Sequence, residues 1–341
     1  MILVTGGTGL VGSHLLLDLC RRGEKVRALH RKSSNIDYTK MIFRQYDKNA
    51  DEIFENIEWF EGDILDITSL EDAMNGVDYV YHVAAMIGFV SKEKDLMKHI
   101  NVDGTANVVN IAIDNKVKKL CYVSSIASLG RAEFDGLVDE TTEWKDSNDN
   151  SKYGISKYLA EREVWRGTEE GLPAVIVNPS IILGLSNPYN GSTQLFSEVW
   201  NGLKFYTTGI NGFVDVKDLV RAMILLQESD IKNERFVVSA ENINYHQVFN
   251  MIADYFGKPR PKIKVNRWMS GLAWRYYAVA GLFSKRPPVI TKETTTTAMT
   301  EYRYSSEKLK KALNFEFRNI EDTFKEVCEL SMKYYFNKKE E

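Results

Sequence analysis

Four residues into the chain, after the apolar run Met1-Ile2-Leu3-Val4, stands Thr5-Gly6-Gly7-Thr8-Gly9-Leu10-Val11-Gly12. Behind it, Leu15, Leu16 and Leu19 recur at helical spacing, and Gly23 can end that helix. Strand, glycine-rich turn and helix together favour one class of fold. Gly allows the positive φ of a sharp turn and lets backbone approach a pyrophosphate. The helix start then offers unpaired N–H groups and a partial positive charge. Two parses fit: Gly7-x-Gly9-x-x-Gly12 and Gly6-x-x-Gly9-x-x-Gly12. Either predicts dinucleotide binding, with Thr5, Gly6, Gly9, Leu10, Val11 and Gly12 around the phosphates.

The rhythm continues to about Asn178. Strands are predicted at Lys25–His30, Ile57–Glu61, Val77–Val83, Lys119–Ser124 and Ala174–Asn178. Helices are predicted near Ser69–Met74, at Asp95–Asn115 and at Ser151–Trp165. This alternation implies right-handed crossovers and a parallel sheet covered on both faces. After Asn178 helical patterns dominate, at Gln194–Asn201, Leu219–Gln227, Tyr245–Phe256, Trp268–Phe283 and Ile320–Tyr334, while Arg235–Ser239 reads as a strand returning to the sheet. The expected fold is α/β: a Rossmann-type, doubly wound parallel sheet with a smaller, mainly helical C-terminal substrate lobe. Residues 1–178 and about 209–240 would form the first part, and about 179–208 and 241–330 the second.

The second strand decides the cofactor. An acidic residue at its end would grip the ribose 2′-hydroxyl of NAD. Here stand His30, Arg31 and Lys32 instead. An acid would repel a 2′-phosphate, whereas Arg pairs with it through charge-assisted hydrogen bonds. NADP is therefore favoured, with NAD still open, and Arg31 is expected on the extra phosphate.

Tyr153-Gly154-Ile155-Ser156-Lys157 sets a phenol and an ammonium at i and i+4, on one helix face. Just upstream, the fifth strand ends in Ser124-Ser125, where parallel strands open onto a ligand crevice. A hydroxyl, a phenol and a cation meeting there suit acid–base work at a carbon bearing oxygen.

With these motifs in register, the chain resembles the extended short-chain dehydrogenase/reductase family along nearly its whole length. Thr5-Gly6-x-x-Gly9-x-x-Gly12 matches its glycine motif and Gly62-Asp63-Ile64 its adenine-side acid. His82-Val83-Ala84-Ala85 matches the fourth-strand motif, whose small residues pass the cofactor, and Asn101-Val102-x-Gly104-Thr105 the helix that buttresses the site. Asn178-Pro179-Ser180 matches the turn beside the nicotinamide, and Phe213-Val214-Asp215-Val216-x-Asp218 a late motif. The resemblance implies catalytic Ser125, Tyr153 and Lys157: Tyr153 as proton donor or acceptor, Lys157 on the nicotinamide ribose, Ser125 on the substrate oxygen. It adds Asp63, Ile64, Ala84, Ala85, Asn101, Pro179 and Ser180 to the cofactor's surroundings, Asn101 in a structural role.

Three details point to the branch resembling dihydroflavonol reductases and 3β-hydroxysteroid dehydrogenases. Gly209–Phe213 lacks the Arg that sugar-nucleotide epimerases carry there. Ile181-Ile182-Leu183-Gly184 replaces their Tyr-Gly-Pro, and strand two ends basic. The expected function is reduction of a carbonyl, or oxidation of the alcohol, in a fairly apolar small molecule. A sugar-nucleotide epimerase or dehydratase with tightly held cofactor remains open, as does a non-catalytic NADP-binding regulator.

The net charge of −3 argues against nucleic acid as a partner. Cys20, Cys121 and Cys328 show neither metal-ligand spacing nor a disulfide framework, so no metal and a cytoplasmic setting are expected. Nothing resembles a signal peptide or a spanning helix. The aromatic stretch Trp268–Phe283 suits a packed helix or lid, or a helix lying on a membrane surface. Monomer and homodimer are both open.

Overall fold

The computed structural model describes residues 1–87, 94–130, 136–147, 150–188, 191–266 and 298–337. The Trp268–Phe283 stretch lies outside them.

The chain begins β1 (Ile2–Thr5), α1 (Leu10–Arg21), β2 (Val26–His30), α2 (Ile36–Tyr46), α3 (Ala50–Glu55), β3 (Ile57–Glu61), α4 (Ile67–Met74) and β4 (Tyr79–His82). Then follow α5 (Lys94–Lys98), a π turn (His99–Asp103), α6 (Gly104–Asp114), β5 (Lys119–Val123), β6 (Leu137–Val138), α7 (Lys152–Glu169) and β7 (Ala174–Pro179). The remainder is β8 (Ile181–Leu183), α8 (Gln194–Trp200), β9 (Phe205–Tyr206), β10 (Ile210–Asp215), α9 (Val216–Glu228), β11 (Glu234–Val238), β12 (Glu241–Asn244), α10 (Tyr245–Phe256), β13 (Ile263–Lys264), β14 (Arg303–Tyr304), α11 (Glu307–Leu313) and α12 (Ile320–Ser331).

Seven strands form one parallel sheet in the order β11-β7-β5-β4-β1-β2-β3. The apolar strand runs explain it. Leu3, Val80, Leu120, Val175 and Val177 are buried because helices cover both sheet faces. One face packs on α1 and α9 through Leu15, Leu16, Leu219 and Met223. The other packs on α4, α6 and α7 through Leu70, Val109 and Val164. Arg235–Ser239 does return to the sheet, as edge strand β11 beside β7.

Several elements depart from the sequence expectation. α2 and α3 fill a stretch that had no assignment; α2 is capped by Asn35 and buries Ile42 and Phe43. Asp95–Asn115 is helical as expected, but with a π turn inside it at His99–Asp103, where Asn101 is buried. Downstream of β7, the helices are joined by a three-stranded sheet, β12-β10-β8. It packs with α8, α10 and α12 around Phe196, Phe213, Ile252 and Phe324.

Candidate active site

All the loops of interest leave the same edge of the sheet. Thr5 pairs with Leu29 and His82, His82 with Tyr122, and Val123 with Val177. The residues that follow these positions therefore emerge side by side at the strand C-termini.

The glycine run forms a closed turn. Gly6 has φ +73°, and a Cβ there would meet Ala84 N at 2.7 Å. A Cβ on Gly12 would lie 2.2 Å from the Gly6 carbonyl oxygen. These are the two positions where only Gly fits, which favours the Gly6-x-x-Gly9-x-x-Gly12 parse. Gly9 is the N-cap of α1 and offers no side chain to its first turn, so those N–H groups are left for an outside acceptor. A Cβ on Gly9 would meet only open space and the Gly6 oxygen. This cradle fits a dinucleotide's pyrophosphate.

A buried hydroxyl–imidazole chain holds the cradle to its neighbours. Thr105 Oγ1 donates to the Asn101 carbonyl at 2.6 Å, so it accepts from His82 Nε2 at 3.0 Å. His82 Nδ1 must then accept from Thr5 Oγ1 at 2.7 Å, while Thr5 Oγ1 accepts from the Val83 and Ala84 N–H groups. This fixes the Nε2–H tautomer. Burial holds His82 neutral by pulling its pKa down to about 3.

Of the two residues expected near the adenine, Asp63 Oδ1 accepts from Leu65 N, and Ile64 is buried against α6. His30 meets the Trp59 ring edge-on at 5.8 Å. Arg31 and Lys32 are exposed and make no ion pair among the described residues. Ala84 is half-buried beside Gly6 and Ala85 is exposed, whereas Pro179 and Ser180 are buried at the end of β7.

Ser125, Tyr153 and Lys157 come together. Ser125 caps a short 3₁₀ turn, its Oγ accepting from Ala127 N. Helix α7, capped by Ser151, reaches that turn because Gly154 has no Cβ; one would stand 2.7 Å from the Ala127 carbonyl oxygen. The Tyr153 phenol is thus brought close enough to Ser125 for that hydroxyl to favour its ionised form. Burial raises its pKa to about 12, and Ser125 works against the rise. Lys157 is fully buried and donates to Tyr122 Oη at 2.9 Å and the Val123 carbonyl at 2.7 Å. Burial lowers its pKa to about 7. Ser124 points the other way, into the interior, where its Oγ donates to Glu161 at 2.6 Å.

Asn101 sits behind these groups. Its Oδ1 accepts from Met86 N at 2.7 Å, and its Nδ2 donates to the Met86 carbonyl and Ser156 Oγ, each at 3.0 Å. Ser156 Oγ in turn donates to the Tyr153 carbonyl. Asn101 therefore clamps the segment after β4 to the helix carrying Tyr153 and Lys157. Sequence reasoning missed Tyr122, Ser128 and Glu161. Their signal was weak: an aromatic in a strand, and a serine and an acid that read as polar surface.

The geometry matches what is known of other chains. The sequence profile of the NAD dependent epimerase/dehydratase family matches residues 2–239. This chain belongs to that family. It is an NAD(P)-dependent oxidoreductase of the extended short-chain dehydrogenase/reductase type. Among its relatives is a putative dihydroflavonol 4-reductase of Synechocystis, 29% identical over 299 residues, covering 84% of this chain and 81% of the relative. Another is the anthocyanidin reductase of Arabidopsis thaliana, 31% identical over 287 residues, covering 77% and 81%. The crystal structure of gox2253 superposes with a TM-score of 0.80 at 28% identity, covering 98% of each chain. Among the described residues, no helix is long and apolar enough to cross a membrane, and no cluster of side chains could hold a metal.

Proposed function

We propose that this family member is an NADP-dependent reductase of a carbonyl in a fairly apolar small molecule. The observation that carries the reading is the meeting of Ser125, Tyr153 and Lys157 beside the glycine cradle. Tyr153 keeps its proton at neutral pH and can give it to a carbonyl oxygen. Ser125 Oγ lies beside that phenol and can hold the same oxygen. Lys157 of α7, whose ammonium reaches the last carbonyl of β5, can take the ribose hydroxyls of the nicotinamide. A bound nicotinamide cofactor supplies the hydride to the carbonyl carbon. The proton from Tyr153 completes the alcohol and leaves a phenolate, which the Lys157 ammonium stabilises.

The choice of NADP rests on His30-Arg31-Lys32, an exposed basic end of β2 with no acid to turn a 2′-phosphate away. Against the epimerase reading stands Gly209–Phe213, which has no Arg to hold a sugar nucleotide's diphosphate. Against a non-catalytic regulator stands the retention of all three acid–base residues. Dihydroflavonol and anthocyanidin reductases among the relatives support a bulky, apolar substrate. The discriminating test is cofactor retention: a reductase should purify without bound dinucleotide and bind NADPH more tightly than NADH. Purification with one equivalent of NAD, and epimerisation of a UDP-sugar, would support the rival.

A further inference from the structure

Helix α7 carries a third ionisable residue on the face of Tyr153 and Lys157, one turn further on. Glu161 is only 2% exposed. Its Oε2 accepts from Ser124 Oγ at 2.6 Å, Ser128 Oγ at 2.7 Å and Asn178 Nδ2 at 2.9 Å. Its Oε1 accepts from Arg235 Nη1 at 3.1 Å and Trp165 Nε1 at 3.3 Å. Every one of these neighbours can donate, which is the surrounding an ionised carboxylate requires. A lone buried charge would be very costly, so this many partners on two β-strands, a turn and a helix mark a built site.

Two lines run from Glu161 to the reacting groups. The first is mechanical. Ser128 Oγ is 2.7 Å from both Glu161 and the Ser125 carbonyl, and Asn178 Nδ2 reaches Glu161 and, at 3.2 Å, the same carbonyl. Ser128 has one hydroxyl proton and gives it to one of these acceptors at a time, so the Asn178 amide, with two protons, is the donor that ties the peptide presenting Ser125 to Glu161. The second is electrostatic. Lys157 faces the Tyr122 hydroxyl and the Val123 carbonyl from β5, and Tyr153 stands one turn before it on its own helix. From β4, the neutral His82 ring stacks on Tyr122. Among the described residues, Glu161 is the one anion that acts on Lys157, while Arg235 of β11 faces Glu161 from the outer side.

We propose that Glu161 is a positioning residue of this active site: its carboxylate ties the Ser125 turn to α7 and supplies the negative charge that Lys157 faces one helical turn away. The roles it serves rest on the reductase reading, but the charge can be tested without turnover. The titration of Lys157 is followed in cofactor-free protein by NMR of ¹³Cε-labelled lysine, its signal identified by its loss in Lys157→Met. Glu161→Gln should lower the midpoint by on the order of one pH unit. Arg235→Met should move it the other way, by less. Unchanged midpoints, or shifts in the same direction, would overturn the electrostatic half.

Glu161→Asp separates charge from reach. It keeps the anion but falls one methylene short of Ser128 and Asn178, so the midpoint should stay near wild type while kcat drops about tenfold or more with KM little changed. Wild-type kcat in that variant would overturn the mechanical half. If Glu161→Gln does not fold, the Asp and Arg235 variants still decide. If wild type reduces no carbonyl, the reductase reading falls while the titration still judges Glu161.

Discussion

Tyr153 and Lys157 show how burial and chemistry meet in single side chains. Desolvation drives the phenol up to about 12 and the ammonium down to about 7, so Tyr153 holds its proton before any cofactor arrives while Lys157 is poised to carry charge near neutral pH. That state suits proton donation to a carbonyl. Tyr153→Phe should therefore cut kcat about 10²- to 10⁴-fold, with NADPH affinity within a few-fold of wild type by fluorescence titration. Arg31 is the second residue with a sharp consequence. Hydrogen bonds to charged groups contribute roughly 1.5–3 kcal/mol. Arg31→Ala should then weaken NADPH binding by about ten- to a hundredfold and leave NADH binding unchanged. Equal loss for both cofactors would show that Arg31 does not read the phosphate. Arg31 and Tyr153 stand out as candidates in the sequence because each lies at a fixed offset from a recognisable strand or helix. Glu161 could not, because an acid on a helix normally faces water, and only the tertiary arrangement reveals its five donors.

Among the elements, the turn between β1 and α1 is the most tightly specified. Gly12→Ala places a methyl against the Gly6 carbonyl, so the turn must open. Overpacking of this kind costs roughly 1–3 kcal/mol, and calorimetry should show cofactor binding lost while the far-ultraviolet spectrum stays native. Wild-type affinity in that variant would mean that the first turn of α1 is not the phosphate cradle. The β–turn–α pattern is local and therefore legible. The π turn at His99–Asp103 is not: it adds one residue to a helical turn without altering the apolar periodicity around it. Only the contacts of Asn101 with Met86 and Ser156 show why it is there. The sheet β12-β10-β8 escaped notice for a similar reason, since its strands pair across long stretches of chain and its burial comes from α10 and α12.

The molecule as a whole carries two buried neutral histidines, which couples its stability to pH. Burial lowers His14 to about 4 and His82 to about 3. In the unfolded chain both titrate near 6.5. Between pH 6.5 and about 4, the unfolded state therefore binds up to two more protons than the folded state at these sites, and stability falls as pH falls. The slope from this pair approaches its limit of about 2.7 kcal/mol per pH unit near pH 5. Denaturant melts between pH 7 and 5 should show that decline, and His82→Asn should lessen the slope. A flat profile would mean that these rings are protonated in the folded protein. The architecture itself was readable at this scale: a seven-stranded parallel sheet follows from the alternation of apolar runs and helical patterns.

Whether these parts form a working carbonyl reductase is decided by following NADPH consumption across a panel of apolar ketones and aldehydes, with NADH in parallel and Tyr153→Phe as control. At least one carbonyl should be reduced, faster with NADPH, and the reduction should be abolished in the variant. NADPH binding without consumption across the panel, or turnover that survives Tyr153→Phe, would contradict the reductase reading.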